Sequence, residues 1–179
     1  MKPLFCMVLL AGLAGCAGNL PPGAVPVRDF DLDRYLGNWY EIARLDHSFE
    51  RGLSRITANY TLNDNGTVRV VNRGYQDEKK KWKEVVGKAK FVGDRSVGRL
   101  KVSFFGPFYG GYNIIELDEG YSRVLVCSNS TKYLWILARE PRLPREVLTQ
   151  LVEKARALNF PVDKLIYVDQ SPVPEPPAR

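Results

Sequence analysis

Acyl-transfer chemistry is the first possibility that the side chains raise, because His47, the only histidine of the chain, is followed directly by Ser48. A histidine that contacts a serine hydroxyl can activate it for attack on an ester. Adjacent residues at a strand end point in opposite directions, however, and the chain has no Gly-x-Ser-x-Gly turn that would expose a nucleophilic serine. We therefore expect no catalysis from this pair.

The three cysteines, Cys6, Cys16 and Cys127, offer no metal or redox spacing. Since there is no Cys-x-x-Cys motif, we expect neither a structural zinc site nor a redox centre. Cys127 stands in an apolar segment, where a small buried hydrophobic side chain is favoured over a nucleophile. The sequence thus predicts no metal and no cofactor.

The N-terminus has the pattern of a secretory signal. Residues 1–15 begin with Met-Lys, continue with a short apolar run and end in small residues, as such signals do. The apolar run is too short to cross about 30 Å of hydrocarbon as a helix. We predict a signal peptide over residues 1–15.

The end of this signal, Leu13-Ala14-Gly15-Cys16, resembles the bacterial lipobox. The resemblance implies cleavage before Cys16, diacylglycerol on its thiol and an acyl chain on the new amino group. More than one chain gives stable anchoring, because each buried CH₂ contributes about 0.8 kcal/mol. In such lipoproteins an Asp after the cysteine signals retention in the inner membrane, so Ala17 is compatible with sorting to the outer membrane. We expect the domain on the periplasmic face of that membrane. The alternative is an ordinary cleaved signal with an incidental cysteine.

Composition divides the remainder into three parts. Residues 16–29 are rich in Pro, Gly and small side chains, which predicts a lipidated, semi-extended tether. Residues 30–170 form the predicted domain, and the proline-rich segment 171–179 predicts a flexible tail. The net charge of +6 is spread along the chain, so nucleic acid is not an expected partner. The lysines at 79–83 are expected at a solvated hairpin tip.

Short β-rich runs separated by turn signals, such as the Asn-Asp-Asn-Gly of 63–66, fill most of the domain. A helix is expected from about Pro144, where apolar residues recur at helical spacing, and a last short strand at 165–168. This spacing is typical of an up-and-down sandwich or barrel, and of the two we predict the barrel: an all-β fold, an eight-stranded antiparallel up-and-down barrel with one C-terminal α-helix packed outside. The eight strands are expected at 38–46, 54–62, 67–75, 82–92, 98–105, 112–117, 123–129 and 132–139.

Several strands are apolar on both faces, most clearly 102–108 and 133–138. A half-solvated sheet would alternate more cleanly. An eight-stranded barrel has room for one small ligand inside, and its outer wall can be apolar where a helix covers it. The pattern therefore predicts an apolar lumen.

The segment Gly37-Asn38-Trp39-Tyr40, together with Arg139 at the end of the eighth strand, resembles the lipocalin pattern. In that family the tryptophan plugs the closed end of the barrel and the arginine lies across it, which implies a cation–π contact here. The stretches 36–52, 101–113 and 133–140 are similar to the bacterial lipocalins, relatives of apolipoprotein D. The resemblance implies that the protein binds fatty acids or lysophospholipids. It is also compatible with a homodimer.

Barrel strands alternate inward and outward, and we assign the inward set by that alternation from Trp39. Several small inward side chains, among them Ala89, would leave space for an acyl chain. The expected ligand-binding residues are Ala43, Ile56, Ala58, Asn72, Val85, Gly87, Phe104, Tyr112, Ile114, Cys127, Tyr133 and Trp135. Further inward positions are Tyr60, Val70, Val102, Leu125 and Leu137.

Two features near the ends of the predicted barrel depend on this assignment. Glu41 would point inward, where a carboxylate is costly unless paired, and Arg139 is the candidate partner near the closed end. The rim is expected to carry Phe49, Arg51 and the aromatic loop 104–109. These aromatics could meet a membrane, a ligand or a second subunit, or pack only within the loop.

The leading function is an outer-membrane-anchored module that binds, stores or transports lipids in the bacterial envelope. A structural or chaperone-like envelope lipoprotein with no dedicated small ligand is the alternative, and large side chains at every inward position would support it. An enzyme acting on lipid is a third class, for which the sequence offers no acid–base or nucleophile constellation. We therefore expect a binding protein and not an enzyme.

Overall fold

The structure, a computed structural model, describes residues 18–173. The predicted signal peptide over 1–15 and the predicted lipidation site Cys16 lie outside the described residues, and so does 174–179 of the predicted tail. Within the described part, no helix is long and apolar enough to cross a membrane.

The described chain contains nine strands, and each predicted strand overlaps an observed one. The largest differences are two residues: the fifth strand ends and the sixth begins two residues earlier than expected, and the seventh ends two residues earlier and the eighth begins two residues later. The strands are β1 (Gly37–Leu45), β2 (Leu53–Leu62), β3 (Val68–Gln76), β4 (Lys81–Phe91), β5 (Arg99–Ser103), β6 (Gly110–Leu117), β7 (Arg123–Cys127), β8 (Leu134–Ala138) and β9 (Leu165–Tyr167).

The first eight strands close into a barrel. Each consecutive pair from β1 to β8 is antiparallel, and β1 also pairs with β8, so no edge is left in the ring. β9 pairs with the second half of β1, on the edge that β2 leaves free there. Gln170 bridges the same gap by donating from Nε2 to the carbonyls of Glu41 and Ile56. The predicted up-and-down barrel is confirmed.

One long helix, α2 (Arg145–Ala157), packs on the outside of the barrel, as predicted. Pro144 immediately precedes it, where the missing N–H leaves no helical bond unmade. Leu151 and Ala155 are buried against outward-facing side chains of the barrel. The barrel therefore has two apolar cores, one inside the ring and one between the ring and α2.

A short helix that the sequence did not predict, α1 (Leu32–Tyr35), crosses the closed end just before β1. Asp31 caps it by accepting a hydrogen bond from the backbone N–H of Asp33 (3.0 Å). Phe30 and Tyr35 are buried there in the inner core. α1 thus covers the bottom of the barrel.

The expectation of a semi-extended tether is wrong for the described residues 18–29. Ala24 is buried in the outer core, and Leu20 packs against it. The backbone of Val27 donates to the carbonyl of Ile114 and accepts from Gly98, each at 2.9 Å. Because these contacts satisfy both apolar side chains and backbone groups, the segment lies on the barrel wall.

Candidate functional site

The inside of the barrel holds a cavity of about 700 Å³. It opens at the barrel end that holds the β1–β2, β3–β4, β5–β6 and β7–β8 loops, and residues of the first, third and fourth of these loops lie at its edge. Its wall is mainly apolar, with a few polar groups at separate points. Ligand pockets in proteins have this size and this mixture.

Most of the residues that were predicted to face the lumen do lie on the cavity wall. Eight of the twelve expected ligand-binding positions are there: Ile56, Ala58, Asn72, Val85, Phe104, Tyr112, Tyr133 and Trp135. The further inward positions Tyr60, Val70, Ala89, Val102 and Leu137 line it as well. Strict alternation therefore places most of the wall correctly.

Ala43 was predicted to face the lumen, and this is wrong. It is fully buried in the outer core. The register between β1 and β8 shifts between Glu41 and Ala43, and such a bulge inverts the face of every later residue. Glu41 lines the cavity, whereas after the bulge Arg44 bonds to it and Ala43 faces α2.

Cys127 and Leu125 also face outward, contrary to prediction, and belong to the outer core. Val124 and Val126 take the inward positions of β7. Opposite residues of an antiparallel pair share a face, and Val126 pairs with Ile114 and Trp135. Since all four residues 124–127 are apolar and buried, the sequence of β7 alone does not distinguish the two faces.

Gly87 and Ile114 were predicted to bind ligand, but neither lies on the cavity wall. The ring of Phe104 fills the space over Gly87, where an added Cβ would lie 2.6 Å from Phe104 Cδ1. Ile114 is fully buried in the inner core, beside Gly98. Gly87 therefore accommodates Phe104 and leaves no free volume for an acyl chain.

The closed end has the predicted contact between Trp39 and Arg139. The guanidinium carbon of Arg139 lies 4.0 Å from the centroid of the fully buried Trp39 ring. The indole N–H of Trp39 donates to the carbonyl of Tyr35 (2.8 Å). Gly37 has a positive φ of 93°, which an L side chain rarely adopts. The Gly-x-Trp pair and the late arginine thus form one closure.

Glu41 does not pair with Arg139 as expected, because it belongs to a buried polar cluster with Arg44, His47 and Glu50. Arg44 Nη1 donates to Glu41 Oε1 (2.9 Å), and Arg44 Nη2 donates to the carbonyl of Glu50 (3.1 Å). Burial, followed by the neighbouring Glu50 carboxylate, raises the pKa of Glu41 well above its ordinary value. Both Glu41 and Glu50 reach the cavity wall.

His47 is part of this cluster and does not face Ser48. Its Nε2 lies 2.9 Å from Glu50 Oε2, and its ring stacks on Phe49 at 3.8 Å between centroids. Sequence reasoning missed Arg44 and Glu50. Each member of the cluster is three residues from the next, so in a regular strand successive members would lie on opposite faces. Only the bulge and the following turn bring the four side chains together.

Three tyrosine hydroxyls form a chain at the closed end of the cavity. Tyr112 Oη lies 2.6 Å from Tyr35 Oη and 2.8 Å from Tyr60 Oη. Tyr35 was not among the predicted site residues, since it precedes the first strand. Its ring packs on Trp39 at 4.8 Å between centroids, so this chain lies directly above the Trp39 closure and forms a polar floor.

The rim carries exposed aromatic side chains, as expected. Phe49, Phe105 and Phe108 are 58%, 75% and 80% exposed, which is unusual for side chains that could pack inside. Arg51 pairs with Asp46 and not with the aromatic loop. The ammonium groups of Lys90 and Lys101 lie over the ring of Tyr109, at 4.9 and 5.5 Å from its centroid.

A lipocalin-like domain model matches residues 30–170 of this chain. The outer membrane lipoprotein Blc of Vibrio cholerae is 50% identical over 95% of this chain and 99% of its own. Its counterpart in Escherichia coli K12 is 48% identical over 95% and 97%. Apolipoprotein D of Bos taurus is 34% identical over 96% and 97%.

Solved structures at low identity share the fold. Insecticyanin of the tobacco hornworm Manduca sexta superposes with a TM-score of 0.67 at 21% identity, over 86% of this chain and 87% of its own. The cockroach allergen Per a 4 gives 0.66 at 21% identity, over 86% and 96%. The bacterial relatives also support the predicted lipid-anchored location at the outer membrane. With its closed barrel, outer helix and Trp39–Arg139 closure, the chain belongs to the lipocalin family.

Proposed function

We propose that this protein binds single-chain lipids, fatty acids or lysophospholipids, and stores or carries them at the outer membrane. The open apolar cavity of about 700 Å³ carries the proposal. Each CH₂ of an acyl chain that leaves water for such a wall contributes about 0.8 kcal/mol. The proposed role is binding, in line with the lipocalin-like domain that matches residues 30–170.

A structural role without a ligand would require a filled lumen. Large side chains at all inward positions would achieve that, but Ala58 and Ala89 face the lumen and leave its middle empty. A void of this size forfeits packing contacts and is destabilising unless something fills it. The cavity therefore favours a ligand over the structural alternative.

The mouth suits an anionic or zwitterionic headgroup. Lys83 is exposed at the edge of the cavity near the β3–β4 hairpin, together with Glu84 and with Arg73, whose guanidinium carbon lies 4.3 Å from the centroid of the Trp82 ring. A phosphate or carboxylate there stays partly hydrated, so that pairing with these cations carries a small desolvation penalty. The proposed orientation places the headgroup at the mouth and the acyl chain inside.

Acylation at Cys16 would bring the mouth close to the membrane. Gly18 lies against Asn129, which is in the β7–β8 loop at the open end. The carbonyl of Gly18 accepts a hydrogen bond from Arg99 Nη2 (3.0 Å). Gly18, the first residue that the structure describes, therefore lies at the end of the barrel where the cavity opens and where Phe105 and Phe108 are exposed. That placement favours exchange of lipid with the same membrane.

Titration of the chain without its signal peptide and Cys16 (residues 17–179, here called the soluble body) with a fluorescent fatty acid tests the binding proposal. We expect saturable binding at micromolar concentration or below. Val102→Trp would fill the cavity and abolish most binding, whereas its matched control Val86→Trp, on the outward face of β4 and 46% exposed, would leave binding intact. Absence of saturable binding to the unmodified body, or equal binding by both variants, would refute the proposal.

Native mass spectrometry of protein purified from the envelope tests the anchor, the retained lipid and the homodimer together. Triacylation of Cys16 would add a mass that Cys16→Ala removes. A copurified single-chain lipid would support the cavity proposal independently of the added ligand. The homodimer remains a prediction from the family resemblance, and the same spectrum would report the oligomeric state.

A further inference from the structure

The polar floor of the cavity, formed by Tyr35, Tyr60 and Tyr112, is more than a set of satisfied hydroxyls. Tyr35 and Tyr60 are only 2% and 5% exposed, and all three side chains line the cavity. Two short contacts, 2.6 and 2.8 Å, join the three oxygens through Tyr112. Every hydrogen bond in this group therefore uses a hydroxyl hydrogen of one of its three members.

A count of hydrogens shows that one donor is left over. Three hydroxyls carry three hydrogens, and the two oxygen–oxygen contacts use two of them. Whichever direction each bond takes, the third hydrogen belongs to Tyr35, Tyr60 or Tyr112 and has no acceptor within the chain of hydroxyls. Among residues 18–173, no other group accepts a hydrogen bond from these three oxygens.

This donor lies where it is costly to leave unmet. A buried donor without a partner costs about 1–3 kcal/mol, and the surrounding inner core is apolar. Burial also raises the pKa of Tyr35, Tyr60 and Tyr112 above the ordinary tyrosine value, so all three remain neutral O–H groups at physiological pH. The floor thus offers one neutral donor to whatever occupies the bottom of the cavity.

The methyl end of an ordinary acyl chain cannot accept this hydrogen bond. A carboxylate could accept it, but the guanidinium of Arg139 lies over Trp39 and donates to backbone carbonyls. An unpaired charge in such a site is far more costly than a neutral oxygen. A hydroxyl or carbonyl oxygen satisfies the donor without bringing a charge.

We infer that the polar floor is a subsite for a neutral oxygen at the buried end of the ligand, so that the cavity prefers oxygenated acyl chains, such as hydroxy fatty acids, over their plain parents. This deepens the proposed function and rests on it, because the floor can select a ligand only if the cavity binds acyl chains.

A series of ω-hydroxy fatty acids of increasing length, each compared with its unsubstituted parent, tests the inference on the unmodified protein. The series ensures that one member places its hydroxyl at the floor. At that length we expect the hydroxylated acid to bind about two- to tenfold tighter than its parent, the range of one net hydrogen bond. If an ordered water satisfies the donor instead, no length will show a preference, and the inference is overturned.

The triple variant Tyr35→Phe/Tyr60→Phe/Tyr112→Phe supplies the second arm. All three hydroxyls must be removed, since any one or two that remain still leave an unused hydrogen. We expect this variant to bind the plain acids and to lose the preference for the hydroxylated ones. Tyr167→Phe, which removes a hydroxyl from β9, where the side chain is 58% exposed and does not line the cavity, should retain the preference.

The outcomes separate the two proposals. If neither kind of acid binds the unmodified protein, lipid binding itself fails. If both bind equally at every length, lipid binding stands and the polar-floor subsite fails. A preference that survives in the triple variant would also overturn the assignment to these tyrosines. Should that variant not fold, the comparison on the unmodified protein decides the question alone.

Discussion

Arg139 lies over Trp39, with its guanidinium carbon 4.0 Å from the ring centroid, and its three nitrogens donate to backbone carbonyls of three different segments. Nη1 bonds to Asn38 (2.7 Å), Nη2 to Arg34 (2.8 Å) and Nε to Tyr121 (3.2 Å). One side chain thus joins α1, β1 and the β6–β7 loop across the closed end. This arrangement requires the planar fork of arginine.

Replacement of Arg139 should weaken the barrel according to how much of this geometry is lost. Arg139→Met removes the cation–π contact and all three hydrogen bonds, and we expect the free energy of unfolding to fall by about 3 kcal/mol. Arg139→Lys keeps a cation near Trp39 but cannot reach three carbonyls, so a loss of about 1–2 kcal/mol is expected. Urea unfolding followed by tryptophan fluorescence measures both. Equal losses for the two variants would contradict a role for the fork.

Gly37 is required for its backbone conformation more than for space. Its φ is 93°, and an added Cβ would lie 3.4 Å from Arg139 Nη1, an ordinary contact distance. We expect Gly37→Ala to lower the free energy of unfolding by about 1–2 kcal/mol, the cost of holding an L side chain there. Gly93→Ala is the matched control, with a φ of 85° and nothing within 4 Å of the new Cβ. A much larger loss at Gly37 would show that crowding of Arg139 dominates.

Stability should depend on pH through Glu41. Its pKa is raised in the folded protein, chiefly by burial and then by Glu50, whereas the unfolded value is about 4.3. Between these two values the folded state binds more protons, so the free energy of unfolding decreases as the pH rises through the raised pKa. Glu41→Gln stays neutral and can still accept from Arg44, so this part of the decrease should vanish.

Chemical unfolding at a series of pH values measures that effect, with Arg44, His47 and Glu50 left in place around the substituted position. Asp46→Asn is the control. Asp46 is exposed, and its hydrogen bond with Arg51 lowers its pKa. The stability that this carboxylate contributes is therefore lost as the pH falls, which is the opposite direction to the effect of Glu41. A Glu41→Gln curve that stays parallel to that of the unmodified protein at every pH above the unfolded pKa of about 4.3 would contradict the prediction.

Cys127 should be inert in the folded protein. It is fully buried in the outer core, and burial raises the pKa of its thiol to about 12, so the reactive thiolate is scarce at neutral pH. In a body of residues 17–179, whose one cysteine is Cys127, we expect no reaction with a chromogenic disulfide reagent at pH 8 (below that pKa by a wide margin) until denaturant is added. Lys132→Cys places a thiol at an exposed loop position and should react at once. Rapid reaction of native Cys127 would place it on the accessible wall after all.

The elements of the fold could be predicted with few errors, because each has a local cause. Turn residues such as Gly66, with its positive φ, end one strand and start the next, and the stripe of α2 that includes Leu151 and Ala155 has helical spacing. The short helix α1 was missed, since four residues with one capping aspartate give too little periodic signal. The closure residues Trp39 and Arg139 were found through the family resemblance and not through spacing.

The assignment of faces failed where local pattern carries no information. Ala43 was misplaced because a bulge, which depends on the pairing of β1 with β8, inverts the alternation after Glu41. Cys127 was misplaced because both faces of β7 are buried, one inside the ring and one under α2. Alternation between apolar and polar residues identifies a face only when one side meets water.

By itself, the sequence determined the strand order, the outer helix and the family, since turn chemistry, hydrophobic period and a few separated motifs act locally along the chain. Only the tertiary structure decided which side chains share the lumen. The polar cluster of Glu41, Arg44, His47 and Glu50, and the hydroxyl chain of Tyr35, Tyr60 and Tyr112, combine residues up to 77 positions apart. Barrel closure and a single bulge bring them together. Both depend on pairing between strands that are distant in the sequence, so no local stretch of residues predicts them.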